Sequence, residues 1–394
     1  MIFNKQLLFP FLFFFWCEIY SQTNVESVLV KIETNNKSLR ANLQYWEARK
    51  IEYKTGLSLP NPGIQGQYLI GSPETAGNQT DIFVVQSFDF PTVYKKRMKL
   101  AKMQGEISTS SIQATRQDVL LEAKLICLNL IYLHKLKNFY SRRKLDVDKL
   151  QKDYQTKLDK GDGNILDLNK IKLQLLENNQ LLKDNEVDIA KLQTHLTELN
   201  GGEKITFFDS IYPAIPEIKS FEIVEREYEA VDPQRLNLEQ EKRIAEKQYE
   251  LAKFWSFPKF EAGYHYQGIL GQKFSGVHAG ITLPIWEQKY RTKQEQAKLL
   301  FSELNLASHL NEHFFEIKEL YDRQASLRNS LDQYNNAISS ISNSSLLEKA
   351  LQLGEINVIE YFLESSFYHN ALLHYYKTEL EYQIAVAELM KYKL

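Results

Sequence analysis

The sequence predicts a mainly α-helical fold with a small β part, built from one unit that occurs twice. Two observations indicate the duplication. The turn Gly161-Asp-Gly-Asn-Ile-Leu-Asp167 matches Gly354-Glu-Ile-Asn-Val-Ile-Glu360, and the two copies lie 193 residues apart. Phe90-Pro91 and Leu283-Pro284 each end a strand-like stretch, and they have the same spacing. Each unit is therefore predicted to contain a helix, a β-hairpin, a long helix and a return helix.

The long helix of each unit extends from the proline to the glycine turn. Residues 92–160 and 285–353 each span 69 residues without an internal proline. At about 1.5 Å of rise per residue, such a helix reaches roughly 100 Å. That length is typical of a coiled coil or a helical array. Glycine supplies the positive φ that ends a helix, and Asn164 or Asn357 can cap the next helix, so each turn is predicted to close an antiparallel hairpin.

Residues 1–21 are predicted to be a secretory signal peptide. The apolar stretch from Leu7 to Cys17 is too short to span a bilayer as a helix, although a retained anchor is the alternative. Lipidation of Cys17 is disfavoured because the bulky Trp16 precedes it. Cys127 is then the remaining cysteine, and its apolar helical surroundings predict a position in the core.

The two units are predicted to occupy residues 22–200 and 232–394, joined by a linker at residues 201–231. The elements predicted in the first unit are a helix at 24–56, strands at about 63–71 and 81–90, a helical tip at about 160–167 and a return helix at 164–199. Those predicted in the second unit are a helix at 232–256, strands at about 259–268 and 274–284, a tip at about 353–360 and a return helix at 357–392. Because the return helices are short, the helices before each hairpin are expected to stack end to end with them.

The four predicted strands alternate apolar and polar residues. One face is rich in Tyr, Phe and aliphatic residues, and the other carries polar residues, including His265 and His278, which would line a pore. Strands of about ten residues with this pattern are typical of transmembrane β-strands; a soluble sheet with one buried face is the alternative. Four strands do not close a barrel and open edges do not occur in lipid, so several chains would have to pool their strands.

In the order and spacing of these features, the chain resembles the TolC-like outer-membrane factor family. The signal peptide, the duplicated unit, Phe90-Pro91, Leu283-Pro284-Ile285-Trp286 and the two glycine turns carry the resemblance, which covers nearly all of the chain after the signal. It implies a homotrimer whose chains each contribute four strands to a twelve-stranded β-barrel in the outer-membrane lipid and helices to a periplasmic α-barrel. It also implies a channel, not an enzyme, that passes substrate from an inner-membrane pump through a periplasmic adaptor to the exterior.

The resemblance further implies that the helical tips contact the adaptor. The tip positions carried over are Gly161, Asn164, Ile165, Asp167, Gly354, Asn357 and Val358. Glu360 would belong to an acidic ring at the periplasmic aperture; three positions further stands Leu363, with Glu364 next to it. Three copies of Glu360 around an axis would favour cations and bind divalent ions. The alternative for Glu360 is an acid that complements the dipole at a helix N-terminus.

Other functional motifs are incomplete. The segment 159–164 resembles a calcium loop, but Leu158, Lys160 and Asn169 occupy three of its ligand positions. His309 and His313 have helical spacing but lack the zinc-protease glutamate, and they are predicted to be exposed. We therefore predict no metal, no cofactor and no catalytic site, and the net charge of −2 gives no basic patch for nucleic acid.

The alternative function is that of a periplasmic coiled-coil adaptor or scaffold protein of the envelope. Adaptors usually carry one helical hairpin flanked by β-rich domains, whereas this chain has a duplication with a strand pair in each half. The sequence does not identify the exported substrate, the particular pump and adaptor, or the resting state of the aperture.

Overall fold

A computed structural model describes residues 24–286, 290–340 and 343–394 of the chain; the predicted signal peptide, including Cys17, lies outside them. The first unit consists of α1 (Val25–Asn35), α2 (Lys37–Thr55), β1 (Gly63–Leu69), β2 (Gln79–Phe88), α3 (Pro91–Asp159) and α4 (Ile165–Leu199). The second unit consists of α5 (Phe221–Val231), α6 (Pro233–Phe254), β3 (Lys259–Ile269), β4 (Gln272–Thr282), α7 (Arg291–Ser340), α8 (Asn343–Leu353) and α9 (Val358–Leu389). The predicted fold class and the duplicated order of elements are confirmed.

The four strands form one antiparallel sheet in the order β1-β2-β3-β4. Both hairpins therefore lie in the same sheet, and β2 pairs with β3 across the two units. Ile64, Val84, Tyr264 and Val277 stand opposite one another in a row across all four strands. Because side chains alternate between the faces of a strand, the residues in register with this row share one apolar face of the sheet, and Phe83 and Val85 lie on the other face.

The helix predicted over residues 24–56 is two helices, α1 and α2, that meet at Asn36. The backbone of Asn36 is extended (φ −61°, ψ 121°), which interrupts the helix. Its side chain accepts a hydrogen bond from Leu39 N at 2.9 Å and donates one to Leu199 O at 2.8 Å. Asn36 thus caps the start of α2 and bonds the last carbonyl of α4. The return helix α4 therefore ends where α2 begins, and the predicted end-to-end stacking applies to α2 alone.

The second unit repeats this junction at Asp232, between α5 and α6. Asp232 accepts hydrogen bonds from Gln234 N at 3.1 Å and Arg235 N at 2.9 Å, and Pro233 occupies the first turn of α6. Residues 221–231 of the predicted linker form α5. The sequence signal was present, because an N-cap aspartate followed by proline marks a helix start.

The second long helix differs from its prediction at its start but ends at Leu353, as predicted. Ile285 and Trp286 are not helical, and helix α7 starts at Arg291; residues 287–289 lie outside the described part of the chain. Helices α7 and α8 lie on either side of residues 341–342, which are also outside it. The first long helix, α3, spans the 69 residues from Pro91 to Asp159, within one residue of its prediction.

The largest buried cluster lies midway along the helices, where α1 packs against α3 and α4. Four residues of α1 recur at helical spacing and face this cluster: Val25, Val28, Leu29 and Ile32. Phe207, in the segment after α4, is fully buried. The Gln193 amide donates a hydrogen bond to Phe207 O and accepts one from Phe207 N. Cys127 lies in the same cluster, as predicted, and burial raises the pKa of its thiol to about 12.

None of the helices in the described ranges is both long enough and apolar enough to cross a membrane.

Candidate functional site at the helical tips and the sheet

Both glycine turns close helical hairpins with the same backbone geometry. Gly161 has a φ of 82° and Gly354 a φ of 74°. Gly161 N donates to Leu158 O at 3.0 Å, and the next amide, Asp162 N, donates to Lys157 O at 3.0 Å. Gly354 and the residue after it make the equivalent pair of bonds. These are Schellman motifs, in which a left-handed residue satisfies the last carbonyls of the helix, so the predicted hairpin turns are confirmed.

The two asparagines cap the return helices, as predicted from their spacing. Asn164 Oδ1 accepts a hydrogen bond from Leu166 N at 2.9 Å. Asn357 Oδ1 accepts from Ile359 N at 2.9 Å and from Glu360 N at 3.0 Å. Asparagine at these positions is therefore explained by helix capping within the chain. Its role in contacting an adaptor stays a prediction.

The turns differ at the residue between the glycine and the asparagine. A Cβ on Gly163 would lie 2.5 Å from Leu158 N, so only glycine fits against the end of α3. The corresponding residue of the second turn is Ile356, which is half-buried against the hydrophobic cluster at the tips. The first turn is therefore closed tightly on its own helix, whereas the second turn contributes a side chain to the packing.

The two hairpins meet near their tips through one buried cluster. Val147 of α3, Ile171 of α4, Leu351 of α8 and Val358 of α9 form its core. Val358 is only 1% exposed. Its side chain fills the interior between the hairpins in this structure, and its contact with an adaptor stays a prediction.

The exposed apolar residues of the tips are partly different from those expected. Ile165 is half-exposed, as an adaptor contact requires, and the next residue, Leu166, is 61% exposed. On the second tip, Ile359 is 54% exposed and Leu363 is similarly exposed. The comparison of the two repeats did not select Leu166 and Ile359, because it does not show which side of each return helix packs against the other hairpin. The spacing of the apolar residues on all four helices would have been needed to separate exposed from buried positions.

The acids at the start of the return helices have different partners. Glu360 Oε2 accepts a hydrogen bond from Asn357 N at 2.8 Å, which completes a capping box. Asp167 instead forms an ion pair with Lys170 at 3.3 Å. Glu364 is exposed and makes no hydrogen bond or ion pair within the described residues. The alternative interpretation of Glu360, an acid at a helix N-terminus, therefore describes a contact that is present.

Above the tips, α3 and α9 enclose partly buried titratable groups. Burial is the main cause that lowers the pKa of His369, to about 4, and the nearby Arg143 guanidinium lowers it further. Burial also lowers the pKa of Arg143 and raises that of Tyr361. Lys149 of α3 forms an ion pair with Glu348 of α8 at 2.5 Å, which joins the two hairpins. This region holds the two hairpins together by both packing and charge.

The histidines His309 and His313 are not both exposed, contrary to the prediction. His313 is 7% exposed because α7 packs this face against the α5–α6 junction. The Nε2 atoms of His309 and His313 lie 3.4 and 3.6 Å from Asp232 Oδ2. Within the described ranges, no group of three His, Cys, Asp or Glu residues is arranged to hold a metal ion. The pair is part of the helix junction.

The sheet has one apolar exposed face and one polar face. Ile64 and Val277, on the apolar face, are 77% and 94% exposed. On the polar face, His265 Nε2 lies 3.1 Å from Asp81 Oδ1, and the His265 ring stacks on Phe83 with ring centroids 4.0 Å apart. In the sheet order, β1 and β4 each have one edge without a strand partner in the described part of the chain. An exposed apolar face of this size and two unpaired strand edges are typical of surfaces that are covered by a partner or by lipid.

No family model and no curated protein match this sequence. Solved structures do match it. A membrane protein from Pseudomonas aeruginosa aligns with a TM-score of 0.78 at 15% identity, over 93% of this chain and 89% of that chain. CusC, a protein that forms a transmembrane channel, aligns at 0.77 and 14%, over 94% and 92%. The CmeC outer membrane channel of Campylobacter jejuni aligns at 0.77 and 14%, over 93% and 85%. These likenesses establish the fold, and the TolC-like fold predicted from the sequence is confirmed.

Proposed function

We propose that this protein is the outer-membrane channel of a tripartite efflux or secretion system. It passes substrate from an inner-membrane pump and a periplasmic adaptor to the exterior, and it does so as a conduit without catalytic chemistry. The pump supplies the energy and selects the substrate. The fold shared with CmeC, an outer membrane channel, supports this proposal.

The observation that carries the proposal is the four-stranded sheet with its exposed apolar face. Strands β3 and β4 are 11 residues long, which is the length needed to cross a bilayer at a tilt. Ile64, Val84, Tyr264 and Val277 form an apolar row that is exposed in the described part of the chain. Lipid is the environment in which such a face is stable.

The two sheet edges support a trimer. Within lipid every backbone amide and carbonyl needs a partner, so β1 of one chain pairs with β4 of the next. Three chains with four strands each give a twelve-stranded barrel, which has no edge left. The same threefold arrangement gathers the helices into a tunnel in the periplasm.

The adaptor binds the exposed tips in this proposal. Ile165, Leu166 and Ile359 supply apolar contact area, while Gly161 and Gly354 keep the turns narrow. Glu360 and Glu364 lie one turn apart at the start of α9 and line the aperture as rings of acids. Asn164 and Asn357 shape the tips through capping, while Asp167 pairs with Lys170.

The decisive experiment measures, by light scattering, the protein mass of the particles that this chain forms in the detergent-solubilised outer-membrane fraction. A mass near three chains of 46.1 kDa, less the signal peptide, is expected. A water-soluble monomer would contradict the proposal, because the apolar sheet face would then be covered in some other way. Absence from the outer-membrane fraction would favour an adaptor or scaffold in the envelope.

A further inference from the structure

Building on the proposed channel function, we propose that two histidines and two carboxylates on the polar face of the sheet set the ion selectivity of the β-barrel. They are His265, which pairs with Asp81, and His278 and Glu261, which both lie beside Gly280. In the barrel they give a cation-selective lumen at neutral pH and an anion-selective lumen at acid pH. They are selectivity-determining residues of the barrel, separate from the acids at the helical tips.

The strand register brings these four residues to one face. Phe83 stands opposite His265, and Asp81, two residues along β2, therefore shares its face. Glu261 and His265 share this face because they lie four residues apart on β3. His278 stands opposite Gly263, between them. With the apolar face in lipid, the polar face lines the water-filled lumen.

The His265–Asp81 pair is held by several contacts. Asp81 is 4% exposed, and its two oxygens lie 3.1 Å from His265 Nε2 and 2.7 Å from Gln79 Nε2. The His265 ring is nearly parallel to Phe83, at an interplanar angle of 10°. These contacts fix the His265 ring beside the carboxylate.

Glu261 and His278 lie on either side of a glycine. Glu261 Oε2 and His278 Nε2 lie 3.3 and 3.7 Å from the point that a Cβ on Gly280 would occupy. Ser87 Oγ donates a hydrogen bond to Glu261 Oε1 at 3.3 Å. His278 places its ring edge-on to Phe83, with centroids 6.2 Å apart, so it lies beside the His265–Asp81 pair.

The polar face carries few charged residues, so the charge state of the two histidines determines its net charge. Strand β1 presents uncharged residues, β2 presents Asp81 and β4 presents His278, while β3 presents Glu261, His265 and Lys259. Beyond the strand ends, Glu74 is exposed in the β1–β2 loop and Asp89 is paired with Arg97 at 2.8 Å.

Protonation reverses the net charge of the lumen. With neutral histidines, two carboxylates and one lysine leave one negative charge on the polar face of the strands of each chain; Lys273 of β4, opposite Gly268, lies on the other face. With both histidines protonated, each chain carries one positive charge instead. Histidine changes charge between about pH 5 and about pH 8. Three copies around a pore multiply the effect, and rings of charge control which ions pass.

The test is the reversal potential of the purified full-length channel in a planar lipid bilayer under a KCl gradient. It is measured at about pH 8 and about pH 5, on either side of the usual histidine range. The wild-type cation-to-anion permeability ratio is expected to fall severalfold at acid pH. The double variant H265Q/H278Q is expected to lose this change. H374Q, which removes an exposed histidine from α9, is the matched control and is expected to keep it.

Two outcomes overturn the proposal while the channel function stands. One is a wild-type selectivity that does not change with pH, and the other is an unchanged pH response in H265Q/H278Q. If the double variant does not assemble, H265Q and H278Q are measured singly, and each is expected to lose part of the response; a full response in both overturns the proposal. Failure of the wild-type protein to conduct at all contradicts the proposed function itself.

Discussion

Asn357 and Glu360 cap each other at the second helical tip. Asn357 N donates to Glu360 Oε2 at 2.8 Å, and Glu360 N donates to Asn357 Oδ1 at 3.0 Å. The first tip has no such exchange, because Asp167 pairs with Lys170 instead. Glu360 therefore has a structural role within its own chain, as part of the helix cap. An effect of its charge on ions at an aperture would be a second, separate role. A useful variant must separate the two roles.

Glu360→Gln separates them, because glutamine keeps an acceptor for Asn357 N but carries no charge. We expect weaker block of channel conductance by divalent cations, with a decrease in melting temperature that is smaller than in Glu360→Ala, because only the interaction of the charge with the helix dipole is lost. Glu360→Ala removes the acceptor as well and is expected to cost roughly 0.3–1 kcal/mol of stability. The measurements are single-channel conductance with added divalent cations and thermal unfolding.

Asp167→Asn is the matched control, since it removes the corresponding acid of the first tip. If Glu360→Gln and Glu364→Gln both leave the cation block unchanged, the site of the block is elsewhere in the channel.

Neighbouring residues on α9 distinguish adaptor contact from internal packing. Ile359→Ala is expected to reduce efflux without loss of stability, because its side chain is exposed. Val358→Ala is expected to cost about 2 kcal/mol, because it removes buried methyl groups from the cluster with Val147 and Leu351. Efflux is measured in cells and stability by denaturant unfolding.

Leu166→Ala tests the first tip in the same way and is expected to behave like Ile359→Ala. Normal efflux in a combined Leu166→Ala and Ile359→Ala variant would show that the exposed apolar tip residues do not bind the adaptor.

Adjacent residues of β1 test which face of the sheet meets lipid. Ile64→Lys is expected to abolish outer-membrane trimers, because lysine on a lipid-facing strand costs about 2–4 kcal/mol near the midplane. Gln65→Lys, on the opposite face of the same strand, is expected to leave assembly intact. Native gel electrophoresis of the outer-membrane fraction reports the trimer. Equal loss of trimer in both variants would argue against a lipid-facing apolar row.

His369 makes stability depend on pH. Its folded pKa is lowered from 6.5 to about 4, first by burial and then by Arg143. The unfolded chain therefore binds more protons in this range, and the free energy of unfolding is expected to fall as the pH falls from about 6.5 to about 4. His369→Gln is expected to reduce this slope, as measured by denaturant unfolding at several pH values. The same reduction in His374→Gln, which alters an exposed residue, would show that the slope does not come from His369.

Most of the architecture was predictable from local signals. Helix length between Pro91 and Gly161, alternation along the strands and the repeated Gly-x-x-Asn turn each reflect backbone preferences over a few residues. The interruptions were harder to predict. Asn36 ends one helix and starts another because its side chain reaches Leu199 O, which lies 163 residues away in the sequence.

The sequence by itself determined the duplicated order of elements, the hairpin turns and the two-faced strands, because these depend on local conformational preference and on periodicity. Only the tertiary structure decided which tip residues are exposed and which are buried. Val358 and Ile359 are adjacent and both aliphatic, yet one is enclosed and the other is open to solvent. It also decided that His265 meets Asp81, since this pairing depends on the register between strands of different units. Burial and long-range contact follow from how separate elements pack, and no local pattern encodes that.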